Sequence, residues 1–91
     1  MSNVRAANVV TLGAAIRDAR KSRGWTQQQL AEAANVSRQF VLDIERGARV
    51  RAELGRVLRI LRALDKDLMI VDAPPKASFE DQLNDLIDGV S

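Results

Sequence analysis

Apolar residues recur at helical spacing in four separate stretches of the chain. In the first, Leu12, Ile16 and Ala19 fall at i, i+4 and i+7, predicting a helix over about residues 11–23. Gly24 follows in the position that favours a left-handed residue, and Arg20, Lys21 and Arg23 oppose the negative end of the helix dipole. Leu30, Ala31 and Ala34 mark a second helix over 27–34. Val41 and Ile44 mark a third over 38–46, closed by Gly47. In the fourth, over about 52–64, Leu54, Val57, Leu58, Leu61 and Leu64 make a broad apolar face, and Arg56, Arg59 and Arg62 recur at i, i+3, i+6 on another. Gly55 sits inside this helix at a cost of up to ~1 kcal/mol relative to alanine, with no reason visible in the sequence. Residues 1–10 carry no helical period and are expected to form an arm.

The second and third helices have the grammar of a helix-turn-helix. Thr26 and Gln29 form a capping box, and Trp25 with Leu30 has the spacing of a hydrophobic staple. Ser37 is a good N-cap for the third helix, with Val36 and Val41 repeating the staple. Ala31 is small where the next helix must approach, and Asn35 stands where one residue needs φ > 0, a region Asn tolerates better than most. Caps and apolar spacing alone would fit any two-helix corner. What points to nucleic acid is the outward polar set of Gln27, Gln28, Arg38, Gln39, Asp43 and Arg46, together with the charge distribution.

After the fourth helix the pattern changes. Leu68, Met69, Ile70 and Val71 form a short apolar run between Asp67 and Asp72, stopped by Pro74 and Pro75. It is too short for a helix and β-branched at its end, and it reads as a strand. A lone strand leaves its backbone donors and acceptors unpaired, which a two-stranded ribbon with a second copy would satisfy; packing of an extended segment on its own core is the alternative. Beyond the prolines, Phe79, Leu83, Leu86 and Ile87 lie at helical spacing, with Ser78 as a candidate N-cap and Glu80 and Asp81 in the first turn. A helix this short is marginal in water, so residues 73–91 read as an acidic tail, disordered alone and ordered on a protein partner, or else an idle tail.

Charge sharpens this division. Residues 1–66 carry thirteen Lys/Arg against six Asp/Glu, and residues 67–91 carry one against six. A basic body, its cations mostly arginine, suits a polyanion and bidentate contacts to phosphate or guanine; an acidic tail does not. The chain has no cysteine and no histidine, which removes disulfides, thiolate or imidazole zinc sites and histidine-based catalysis. No phosphate-binding glycine loop is present, so neither an enzyme nor a cofactor is expected. No apolar run approaches the ~20 residues that span a bilayer and the first residues lack a signal-peptide pattern, so a cytoplasmic location without membrane association is expected.

The segments GWTQQQLAEAANVS, VLDIERG and LGRVLRILRALD resemble the Xre or lambda-repressor-like helix-turn-helix family, and DLMIVDAPP after them is similar to HipB-type antitoxins. The resemblance implies an all-α, four-helix domain over residues 11–72, with one C-terminal β-strand forming an intermolecular ribbon in a homodimer. It implies that Arg38 and Gln39 reach base edges of double-stranded operator DNA, where arginine suits guanine and glutamine suits adenine. Asp43 would accept from a cytosine amine or orient Arg38 or Gln39. Gln27 and Gln28, with Arg46, Arg49 and Arg51, would contact phosphates. Arg20 and Glu45 would form a structural pair. Leu68, Met69, Ile70 and Val71 would hold the dimer. The partner implied is a HipA-type serine/threonine kinase toxin or a split form of it, met by the tail through Phe79, Leu83, Leu86 and Ile87 or by the body. The chain departs from many members in using Asn35 for a turn glycine, and in carrying Phe40 and Leu42 in the third helix.

Three functions fit. One is a repressor that regulates its own operon and neutralises a toxin. Another is a stand-alone regulator, such as a phage-type repressor or a restriction-modification controller. The third is a protein-interaction module with a vestigial motif.

Overall fold

The computed structural model describes residues 5–48 and 51–73. The N-terminal four residues, Arg49 and the tail residues Phe79, Leu83, Leu86 and Ile87 lie outside them. Four helices follow in order: α1 (Val9–Ser22), α2 (Gln27–Ala34), α3 (Arg38–Glu45) and α4 (Leu54–Ala63). The fold is an all-α helix-turn-helix domain. None of its described helices is long and apolar enough to cross a membrane.

Each helix start follows from a short polar side chain or an extended residue. Thr26 accepts from the Gln29 amide at 3.0 Å while Gln29 Oε1 accepts from the Thr26 amide at 2.8 Å, the reciprocal cap expected from T-x-x-Q. Ser37 Oγ accepts from the Phe40 amide at 3.0 Å. α1 starts two residues before the expected position, shortening the arm. The cause is a second capping box: Asn8 Oδ1 accepts from the Thr11 amide at 2.9 Å, and Thr11 Oγ1 accepts from the Asn8 amide at 3.2 Å. α4 is shorter than expected at its start, where Glu53 takes the cap position without a side-chain bond.

All four helices end through one left-handed residue: Gly24 (φ 70°), Asn35 (φ 55°), Gly47 (φ 68°) and Asp65 (φ 54°). At each end two amides fold back onto carbonyls of the last turn. At the second helix, for example, the Asn35 amide donates to Glu32 O and the Val36 amide to Ala31 O. Asn35 thus fills the turn position expected of it. Asp65 was not anticipated. Its carboxylate accepts from Arg23, whose Nη2 also donates to Leu64 O at 3.2 Å, so the end of α4 is tied to the end of α1. The same guanidinium lies 5.1 Å over the Trp25 ring.

The core comprises Ile16, Leu30, Ala31, Ala34, Phe40, Val41, Ile44, Val57, Ile60, Leu61 and Leu64. Helix α2 packs on α3 and α4, and α1 packs on α3. Phe40, a departure from the family pattern, is a core residue, with the Arg56 guanidinium 5.7 Å over its ring. Leu42 is half-buried.

Two sequence expectations for the fourth helix and the segment after it change. On α4 the broad apolar face is divided: Val57, Leu61 and Leu64 are buried with Ile60, while Leu54 and Leu58 are exposed. Residues 66–73 form no regular secondary structure within the single chain, and Leu68, Met69, Ile70 and Val71 are all exposed, Ile70 at 95%. In the structure this segment is therefore not packed on the core.

Two helical glycines behave oppositely. A Cβ on Gly13 would stand 2.1 Å from Ile44 O, so α1 and α3 cross at backbone contact. A Cβ on Gly55 would meet nothing closer than Glu53 Oε1 at 3.8 Å among the described residues, so no close backbone approach among them explains that glycine. Gly13→Ala should destabilise by at least ~1–3 kcal/mol through overpacking, because the obstructing atom is backbone. Gly55→Ala should stabilise by up to ~1 kcal/mol through helix propensity. Urea midpoints of the two variants test both signs.

Candidate nucleic-acid interface

The start of α3 is the centre of the candidate surface. The Ser37 cap turns the chain into the helix, and the buried Phe40, Val41 and Ile44 anchor its inner side. Arg38 and Gln39 occupy the first turn and are exposed. One turn later, half-buried Asp43 accepts from Gln39 Nε2 at 2.8 Å through Oδ1. Asp43 is thus in contact with Gln39, as the second of the two roles expected of it would require. A glutamine amide held through one N–H keeps its carbonyl oxygen and second N–H available. Those are the groups that pair with the adenine edge.

The start of α2 meets the last residue of α3. Gln28 is exposed and donates to Glu32 Oε1 at 3.1 Å. Gln27 is half-buried and its Nε2 donates to Glu45 Oε1 at 3.4 Å, so it is linked to the interior as well as to the outer face. Arg46, the C-cap of α3, and Arg51, in the loop before α4, are exposed.

Behind the surface lies the pair that the family resemblance implied. Arg20 Nε and Nη2 donate to Glu45 Oε2 and Oε1 at 2.7 and 2.9 Å, a two-point contact, and Nη1 donates to Trp25 O at 2.8 Å. The Glu45 side chain is only 3% exposed. Among the described residues no buried side-chain nitrogen or oxygen lacks a partner.

The structure therefore brings Gln39 and Asp43 into contact on α3, with Arg38 exposed in the same first turn, and it ties Gln27 to Glu45 at the other end of that helix. Sequence reasoning missed Gly13, the backbone contact that sets the approach of α1 to α3. A glycine inside a helical pattern was the available signal, but its reason is tertiary. It also missed Asn8, whose side chain starts α1; the N-x-x-T spacing was there to find.

Comparison with known proteins agrees with this geometry. The helix-turn-helix family model (HTH_3) matches residues 16–70. An HTH-type transcriptional regulator of Sinorhizobium fredii, y4mF, is 38% identical over 53 residues, covering 58% of this chain and 68% of the relative. Among solved structures, the restriction-modification controller protein C.AhdI from Aeromonas hydrophila is 32% identical with a TM-score of 0.61, covering 68% of this chain and 92% of that one. The HipB–O4 20mer complex is 23% identical with a TM-score of 0.70, covering 77% and 97%, a likeness of fold. The chain belongs to the Xre-type helix-turn-helix family and is a DNA-binding transcription regulator of that class.

Proposed function

We propose that this chain is a dimeric repressor that reads a palindromic operator through α3, regulates its own operon, and serves as the antitoxin of a HipA-type kinase. The observation that carries the DNA-reading part is the first turn of α3. There two side chains with the chemistry for guanine and adenine are exposed side by side, one of them braced by Asp43. Gln28, Arg46 and Arg51, all exposed, serve as phosphate contacts, and Arg49 joins them by its place in the basic loop of the sequence. The likeness of fold to HipB complexes and the DLMIVDAPP segment support the antitoxin part. The 32% identity to C.AhdI favours a second reading, a stand-alone controller that binds its operator without a toxin.

The dimer is proposed from exposed apolar surface. Leu68, Met69, Ile70 and Val71 are turned to solvent with no backbone ladder, and Leu54 and Leu58 on α4 are exposed as well. A ribbon between two copies would pair the backbone of 68–71, and the α4 leucines would add apolar area beside it. Two reading helices held in this way would meet half-sites about one DNA turn apart, ~10 bp or a multiple.

Specificity and affinity separate by residue. Arg38→Ala and Gln39→Ala should each cost ~1–3 kcal/mol on the operator and relax preference at one base pair. Arg51→Ala should weaken all sequences equally and reduce the salt slope by about one unit. Quantitative footprinting at several salt concentrations on operator and scrambled DNA measures both. A change of base preference in Arg51→Ala with none in Arg38→Ala would move the reading face elsewhere.

Ile70→Pro removes a backbone donor from the proposed ribbon. The variant should sediment as a monomer and lose operator affinity while keeping its helical circular dichroism. An intact dimer would assign the interface to α4 alone.

Truncation after Pro75 should leave operator binding intact, since it removes carboxylates and no reading residue, and should weaken neutralisation of the kinase. Titration of the kinase with full-length and truncated protein tests this. Equal affinities would move the kinase contact to the body, and no binding by either would favour the controller reading.

A further inference from the structure

Gly55 stands exposed in the first turn of α4, with open space where a side chain would be. A glycine in a helix costs up to ~1 kcal/mol relative to alanine, and no contact among the described residues offsets that cost. Its neighbours on the helix surface are apolar. Leu54, the residue before it, is 61% exposed, and Leu58, one turn on, is 36% exposed. Side chains on a helix form ridges along i, i+4 rows. Leu54, Leu58 and Arg62 make one such ridge, and Gly55 and Arg59 belong to the next. The second ridge lacks a side chain where the first carries its leucines. A notch therefore lies beside a knob, on the side of α4 turned away from the buried Val57, Ile60 and Leu64.

A knob and a notch one turn apart on one face are self-complementary. When two identical helices cross about a two-fold axis, residue i of one copy meets residue j of the other, and j meets i. With the axis midway between positions 55 and 58, Leu58 of each copy enters the notch at Gly55 of the other, and Leu54 borders the contact. A partner of different sequence would need only the knob or only the notch; the presence of both favours a second copy of this chain. The chain also runs from this helix into Leu68, Met69, Ile70 and Val71, the exposed apolar residues that the dimer reading gives to a second copy.

We propose that Gly55 is a dimer contact at which two α4 helices cross, with Leu58 of each copy seated over Gly55 of the other. The proposal rests on the dimer reading and adds to it the residue that sets how closely the two bodies approach. Packed helices lie ~8–10 Å apart depending on the side chains between them, and a glycine at the contact permits the lower end. The separation of the two α3 helices depends on that distance. Gly55 thus bears on operator spacing although it is not among the proposed DNA contacts.

Sedimentation equilibrium of the full-length chain over a range of concentrations tests this. Gly55→Leu fills both notches of a dimer, and Leu58→Ala removes both knobs. Each should raise the dimer dissociation constant at least ~10-fold. Both positions are exposed in the single chain, so helical circular dichroism should not change. The double variant Gly55→Leu/Leu58→Ala exchanges knob and notch and should recover most of the lost affinity, which two independent defects would not do. A dimer that Gly55→Leu leaves as tight or tighter, or a double variant without recovery, overturns the proposal and leaves the dimer reading standing. A wild-type chain that is monomeric at every concentration overturns both, and gives the α4 leucines to a different protein.

Discussion

The geometry of the domain depends on the Arg20–Glu45 pair. One guanidinium satisfies both oxygens of a nearly buried carboxylate and the Trp25 carbonyl. It joins the last turn of α1, the connection into α2 and the last residue of α3. Charges removed from water are tolerated only when paired with good geometry, and removing one partner from such a site typically costs ~3–5 kcal/mol. Few alternative packings can satisfy all these groups together. The pair therefore supplies direction where the surrounding aliphatic contacts supply mainly area, and Gln27 extends the constraint to the start of α2.

A second constraint acts at the helix ends. Four short helices in a small domain need abrupt changes of direction, and each here is made by one left-handed residue. Two are glycines that follow α1 and α3. The other two, Asn35 and Asp65, are the side chains that best tolerate that region after glycine. Asp65 also accepts from Arg23, so the reversal after α4 is in contact with the end of α1. The exits of α2 and α4 are thereby set, and with them the groove between the ends of these two helices.

The surface divides into regions of different chemistry. The first turn of α3 is polar and braced. The exposed leucines of α4 and residues 68–71 are apolar. The α2–α4 groove combines alanines with arginines that have no acidic partner among the described residues. Small domains bury a modest fraction of their apolar area, and association offers a way to cover the remainder. These regions lie on different residues of one 91-residue chain.

The sequence by itself determined the local structure: four helices from apolar period, the Thr26 and Ser37 caps, and the left-handed turn at Asn35. These rest on interactions within a few residues, so their determinants lie together in the chain. The exposed position of Arg38 and Gln39 was legible for the same reason, since the apolar residues of α3 define its buried side. Only the tertiary structure decided which arc of α4 is covered. Period 3.6 gives a stripe its direction on the helix, but the positions of the neighbouring helices choose which part of a broad stripe they meet. Ile60 went inside and Leu54 and Leu58 stayed out for that reason. Gly13 belongs to the same class: its lack of a side chain has meaning only where Ile44 O arrives, from a residue thirty-one positions away in the sequence.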